Sequence, residues 1–193
     1  TPAYLVKRFD ISPSGEKLAV EDFASLLKRT PQTHGGDYKY KGSYYELFQV
    51  LQQLLPHWKQ EALRLVRLLV FNYLFANGDA HLKNFSLIED GEGSFRLSPA
   101  YDLLNTRIHI EDSDFALSQG LFPKAQGRIR QQFITLAEAC GLPQEEVLII
   151  LEQMTSHSQE VAQLVSRSFL SPRLQRNYLQ HYQYRVKRLS TKD

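Results

Sequence analysis

Asn77-Gly78-Asp79-Ala80-His81-Leu82-Lys83-Asn84, answered further along by Pro99-Ala100-Tyr101-Asp102, decides how this chain is read. An acid is followed five positions later by an amide, and a second acid returns after an excursion. Upstream of the block, Leu63 to Ala76 is apolar apart from Arg64, Arg67 and Asn72, so residues 57–75 are predicted to form a buried central helix. Downstream, Phe85-Ser86-Leu87-Ile88 and Ser94-Phe95-Arg96-Leu97 flank Glu89-Asp90-Gly91-Glu92-Gly93, which is a hairpin pattern. The polar block therefore lies where a buried helix hands over to a hairpin.

The rest of the chain is mostly helical. Residues 4–9 alternate enough for a strand, and Ser12-Pro13-Ser14-Gly15 is a turn. Residues 20–28 are predicted as a short amphipathic helix with Glu21 and Asp22 in its first turn. Residues 30–43 form a long polar loop, and Leu47, Val50, Leu51, Leu54 and Leu55 mark a helix that Pro56 ends. Residues 101–128 show little periodicity. Three helices follow, at 129–140 with Gly141 as cap, at 144–169, and at 172–188 with Pro172 in its first turn.

Composition sets outer limits. With 193 residues, 42% hydrophobic and 23% charged, the chain can bury one substantial core. A net charge of +2 announces neither nucleic acid nor membrane. The single cysteine, Cys140, excludes an intramolecular disulfide and a Cys-rich zinc site, and it favours a reducing, cytoplasmic setting. No stretch is long and apolar enough for a membrane span. Because the chain opens without Met on a strand-like segment, further sequence is expected upstream.

Phosphoryl transfer needs few protein groups, and they mainly position atoms and neutralise charge. One carboxylate must accept the hydrogen bond of the attacking hydroxyl. An amide oxygen and a second carboxylate must hold Mg²⁺, which prefers oxygen ligands. Asp79, Asn84 and Asp102 have the spacing and the helix–loop–hairpin setting for these roles. Plainer readings exist for each residue. Asn77, Gly78 and Asp79 suit a helix end and turn, and Asp102 suits a helix N-cap. His81 reads first as a structural histidine, while Lys83 either reaches a phosphate or is solvated.

These residues resemble the HipA-type serine/threonine kinases of bacterial toxin–antitoxin systems. The likeness rests on Asn77 to Ser86 and on Ser98-Pro99-Ala100-Tyr101-Asp102-Leu103-Leu104. Val6-Lys7-Arg8-Phe9-Asp10 is similar to the family's Glu-Arg-Phe-Asp segment, and Val20-Glu21-Asp22-Phe23 falls where the family has a short acidic helix. The similarity continues through His109-Ile110 and Ala116-Leu117, then fades into the helical tail. The resemblance implies a mainly α, protein-kinase-like C-terminal lobe with a central β-hairpin, part of a two-lobed α+β kinase. Residues 1–11 would be the hinge strand and 12–193 the helical lobe, with a catalytic loop at 77–84 and a metal-binding segment at 99–104. Asp79 would be the base, and Asn84 and Asp102 the Mg²⁺ ligands. ATP would meet Lys7 and Phe9 at the hinge, together with His81, Lys83 and Tyr101. Lys7 stands where the family has Glu.

The family's phosphate-binding loop and phosphate-gripping lysine precede the hinge, so an N-terminal lobe is expected upstream or on a separate chain. The implied partners are a protein substrate and a helix-turn-helix antitoxin. From Pro172 onward Arg173, Arg176, Arg185, Lys187, Arg188 and Lys192 interleave with tyrosines. This is either a solvated helix face or a partner surface centred on Arg185 and Arg188, with direct DNA contact not expected. Two other readings compete. Gly78-Asp79-Ala80-His81 matches the start of binuclear metallophosphoesterases, but that motif should leave a strand and be followed by further metal-binding elements, which are missing. A kinase-like lobe could also serve only as a binding module.

Overall fold

Periodic apolar residues produce helices where the spacing predicts them. In the computed structural model, which describes residues 3–90 and 93–191, α3 (Tyr45–Leu54) and α4 (Trp58–Leu74) are separated by Leu55, Pro56 and His57. Leu47, Phe48 and Leu51 of α3 pack with Leu65, Leu69 and Val70 of α4 in one core. Each such side chain stabilises the fold by roughly 1.5–3 kcal/mol. α4 is the central helix, also packing against Phe95–Leu97 of the hairpin and against the C-terminal helices introduced below.

The hairpin forms as β2 (Ser86–Glu89) and β3 (Phe95–Leu97), with Leu87 opposite Leu97. Gly91 and Glu92 of its turn lie outside the described residues, as do Thr1, Pro2, Lys192 and Asp193. A third strand corrects the sequence reading. Val20–Asp22 is not helical but forms β1, antiparallel to β2 with Glu21 opposite Leu87. Asp22 then caps α1 (Phe23–Leu26) by accepting from the Ser25 N–H at 3.0 Å. A carboxylate one methylene from the backbone caps a helix better than it sits inside one, and β1 satisfies the outer edge of β2. The sheet order is β1-β2-β3.

Residues 4–9 are not a strand either. Tyr4 is 89% and Leu5 90% exposed, and no strand among the described residues lies beside them to take up their backbone hydrogen bonds. The expected turn does form. Gly15 adopts φ 87° and Ile11 bridges to Lys17 across it. The polar loop at 30–43 contains a one-turn helix, α2 (Pro31–His34), and a 3₁₀ turn at Tyr38–Tyr40.

In the C-terminal third, α5 (Ile129–Ala139) ends at Gly141, whose φ of 67° lets the Gly141 and Leu142 N–H groups reach back to Glu138 and Ala137. The single helix expected over 144–169 is two, α6 (Gln144–Thr155) and α7 (Ser158–Ser166). The Thr155 and Ser156 hydroxyls donate to the Leu151 and Gln153 carbonyls, both at 2.8 Å, so side chains satisfy groups that a continuing helix would use. α8 (Pro172–Ser190) starts with Ser171 as cap and Pro172 in its first turn.

Along α8, Arg173, Arg176 and Lys187 are exposed, but Arg185 is 2% exposed. Arg185 donates to Asp114 Oδ1 at 2.9 Å and lies over the Tyr73 ring, and Arg188 donates to Asp114 Oδ2 at 2.7 Å. The partner surface read from Arg185 and Arg188 is therefore an internal clasp between α8 and the irregular segment. Among the described residues no helix is long and apolar enough to cross a membrane.

Candidate active site

The last turn of α4 sets the site. Ala76 takes the left-handed conformation, φ 55°, and turns the chain out of the helix. That costs roughly 1–2 kcal/mol for a residue with a Cβ. Thr106 holds the turn, since its N–H and its hydroxyl both donate to the Ala76 carbonyl at 3.1 Å, and its hydroxyl accepts from the Gly78 N–H. Asn77 is buried and donates through Nδ2 to Asn72 Oδ1 at 3.0 Å and to the Asp102 carbonyl at 3.2 Å. One amide thus ties the helix end to the segment that carries the second acid.

Two of the three residues singled out for chemistry, Asn84 and Asp102, meet at this point, and Asp79 stands at the start of the same tight loop as Asn84. Asn84 Nδ2 donates to Asp102 Oδ2 at 2.5 Å. Its Oδ1 accepts from the His81 N–H at 2.9 Å, which closes the tight turn that follows Asp79. Asp102 is exposed and has φ 54°, a conformation that short Asp tolerates and that its Asn77 and Asn84 contacts hold. Asp79 is half-buried and accepts from the Tyr40 hydroxyl at 2.7 Å. Burial and that hydrogen bond push the Tyr40 phenol up to about 12, so Tyr40 stays a donor. His81 is buried with its ring edge-on to Tyr40, and burial, helped by Lys39, lowers its pKa.

The residues expected at a nucleotide are placed unevenly. The Phe9 and Tyr101 rings meet with centroids 5.8 Å apart, and both line a cleft of about 640 Å³ with Val20, Ser86 and Glu89. Tyr101 is fixed there because its hydroxyl donates to the Lys83 carbonyl at 2.7 Å and bonds Ser86 Oγ at 2.5 Å. The Lys83 ammonium lies outward, 3.5 Å from Asp22. Lys7 is exposed and does not line that cleft. Gly78 admits the close approach of Asp112, whose carboxyl group would lie 2.3 Å from a Cβ placed there.

Sequence reading missed Tyr40, Asn72 and Thr106. Asn72 is the polar interruption in an apolar helix and was visible as such; Tyr40 and Thr106 lie in segments without periodicity. The helix leading into Gly78-Asp79 stands where a metallophosphoesterase needs a strand.

Comparison with known proteins bears on the fold and the family. The chain is 42% identical over 115 residues to "Putative kinase Y4dM" of Sinorhizobium fredii, which covers 59% of this chain and 26% of that protein. It is 30% identical over 143 residues to "Putative kinase Y4mE" of the same organism, covering 71% of this chain and 31% of that protein. The chain thus spans about a quarter to a third of those relatives' length. In fold it is similar to a chain of the Shewanella oneidensis MR-1 toxin–antitoxin complex of HipA, HipB and operator DNA. The TM-score is 0.66 at 20% identity, over 95% of this chain and 47% of that one. Residues 1–162 match the family described as HipA-like C-terminal domain, and this chain belongs to that family.

Proposed function

We propose that this chain is the catalytic C-terminal lobe of a protein serine/threonine kinase that uses Mg²⁺ and ATP. The observation that carries the reading is the 2.5 Å contact between Asn84 and Asp102, which folds the second acid back onto the loop bearing Asp79. Asp79 orients the acceptor hydroxyl and accepts its proton.

The residues present fit Mg²⁺. Asp102 offers a solvent-facing carboxylate, and Asn84 Oδ1, with one hydrogen bond from His81, keeps a lone pair for the ion. One or two protein oxygens beside substrate phosphates is the usual way this cation is held. Bound there, Mg²⁺·ATP would supply the γ-phosphoryl group with its charge neutralised. Phe9 and Tyr101 give the nearby cleft two aromatic walls suited to a purine. Lys83 could turn from Asp22 toward a phosphate, and Lys7 contributes through its backbone or not at all.

The remaining parts of the reading concern the complete protein. The relatives are two to four times as long as the matched region, so an N-terminal lobe that completes the phosphate cradle is proposed, in cis or on a separate chain. Without it this chain should bind nucleotide weakly. The solved neighbour is a complex with HipB and operator DNA, and an antitoxin of that kind is the proposed partner. With Arg185 and Arg188 engaged internally, its docking surface lies elsewhere.

The test is phosphoproteomics on cells expressing the complete protein with its genomic neighbour. New phosphoserine or phosphothreonine sites that vanish in Asp79→Asn support the reading. Identical phosphoproteomes in wild type and variant contradict it.

A further inference from the structure

A cavity of about 480 Å³ opens beside Asp79, on the side of the loop where Tyr40, Asp112 and Ser113 lie. Tyr40 reaches Asp79 from a segment that is itself anchored. Its carbonyl accepts from the Ser118 N–H at 2.8 Å, and the Gly42 carbonyl accepts from the Gln119 N–H at 2.9 Å. Gly42 N–H donates to Ser118 Oγ at 3.2 Å, and Arg29 fixes the Lys41 carbonyl. The phenol ring rests edge-on against His81 at 5.2 Å. The hydroxyl is thus delivered to Asp79 Oδ1 by a braced backbone and a braced ring. Among the described residues Tyr40 is the side chain that donates to this carboxylate.

We infer that Tyr40 is a positioning residue for the acceptor hydroxyl: by holding Asp79 Oδ1, it fixes the carboxylate plane so that Oδ2 faces the cavity where the phosphoacceptor enters. This rests on the kinase reading of Asp79. A free carboxylate rotates about its side-chain torsion, and an acceptor oxygen misplaced by about an ångström loses much of the advantage of orientation. The hydrogen bond to a charged acceptor is of the stronger kind. Tyr40 itself touches neither the nucleotide nor the transferred group.

The experiment uses the complete protein with Mg·ATP and dephosphorylated casein as the serine and threonine acceptor, measuring ADP formation and casein phosphate together at saturating and limiting ATP. Tyr40→Phe keeps the ring against His81 and removes only the hydroxyl. The expected result is a fall in kcat of about tenfold with KM for ATP within about twofold, and no further fall when Tyr40→Phe is added to Asp79→Asn. Tyr40→Leu should lose no more kcat than Tyr40→Phe, although it also lowers Tm. If Tyr40 merely packs, Tyr40→Phe retains wild-type kcat while Tyr40→Leu does not, and the inference is overturned. Phosphate found on Tyr40 by mass spectrometry would also overturn it, since the phenol would then be an acceptor. Should Asp79→Asn itself leave turnover unchanged, the kinase reading fails first, which separates the two failures.

Discussion

Asp102 shows how one residue's chemistry depends on others that anchor it. Its carbonyl is held by Asn77, its carboxylate by Asn84, and its backbone is left-handed. Replacing it with Ala removes the exposed oxygen that would meet Mg²⁺ together with the Asn84 contact, while the Asn77 hydrogen bond to its carbonyl remains. In the complete protein, Asp102→Ala is expected to abolish Mg·ATP binding in calorimetry while Tm stays within a few degrees. Retained Mg·ATP affinity would show that the metal is held elsewhere. His81 supplies a prediction in pH. Burial lowers its pKa below the usual 6.5, so below that value the unfolded chain takes up a proton that the folded chain refuses. The stability it contributes is complete above 6.5 and is lost as pH falls through the lower folded value. His81→Gln should therefore flatten the fall in Tm between about pH 7 and pH 5. His181, lowered by burial and by Arg107 and Arg185, keeps its own share of the slope. A variant with the wild-type slope would contradict this. Asp79, Asn84 and Asp102 were legible in the sequence because spacing is a linear property. Tyr40 was not, because its partner is 39 residues away and nothing periodic leads from one to the other.

Among elements, α4 does two jobs with one sequence. Its apolar face makes the core. Of its inward polar residues, Asn72 receives Asn77 at the site, while Glu61, at the other end of the helix, accepts the Leu97 N–H of β3 at 2.9 Å. The helix was readable from its period, whereas Glu61 could not be told from a solvated glutamate without β3 beside it. β1 was misread for a related reason. A strand of three residues carries almost no pattern, and its partner β2 begins more than sixty residues later. The irregular segment 101–128 is held by α8 through Asp114, which meets Arg185 and Arg188. Asp114→Ala leaves the Arg185 guanidinium buried and uncompensated. Breaking such a pair costs about 3–5 kcal/mol, and the 30% exposure of the Asp114 side chain puts this case near the lower end. Denaturant unfolding should show the loss at fixed m-value. A change under about 0.5 kcal/mol would mean that the clasp is ornamental.

At the scale of the molecule, the helical lobe with its small sheet brings the Asp79 loop and the Asn84–Asp102 pair to one end of α4, next to the cleft walled by Phe9 and Tyr101. The mostly helical architecture was legible because α3 and α4 carry their own periods, α5 its closing Gly141, and α8 its Pro172 start. The third strand, the break before Ser158 and the role of α8 emerge only when segments meet. The relatives are far longer than the matched region, and in the proposed reading the full activity belongs to a larger protein to which this lobe would contribute the loop of Asp79. The most direct measurement is the initial rate of γ-phosphoryl transfer from radiolabelled Mg·ATP to protein serine or threonine, using the purified complete protein and its Asp79→Asn variant. The account predicts measurable transfer by the wild type and a fall of about 10²–10⁴-fold in the variant, with folding unchanged by circular dichroism. Equal rates for the two proteins would contradict it.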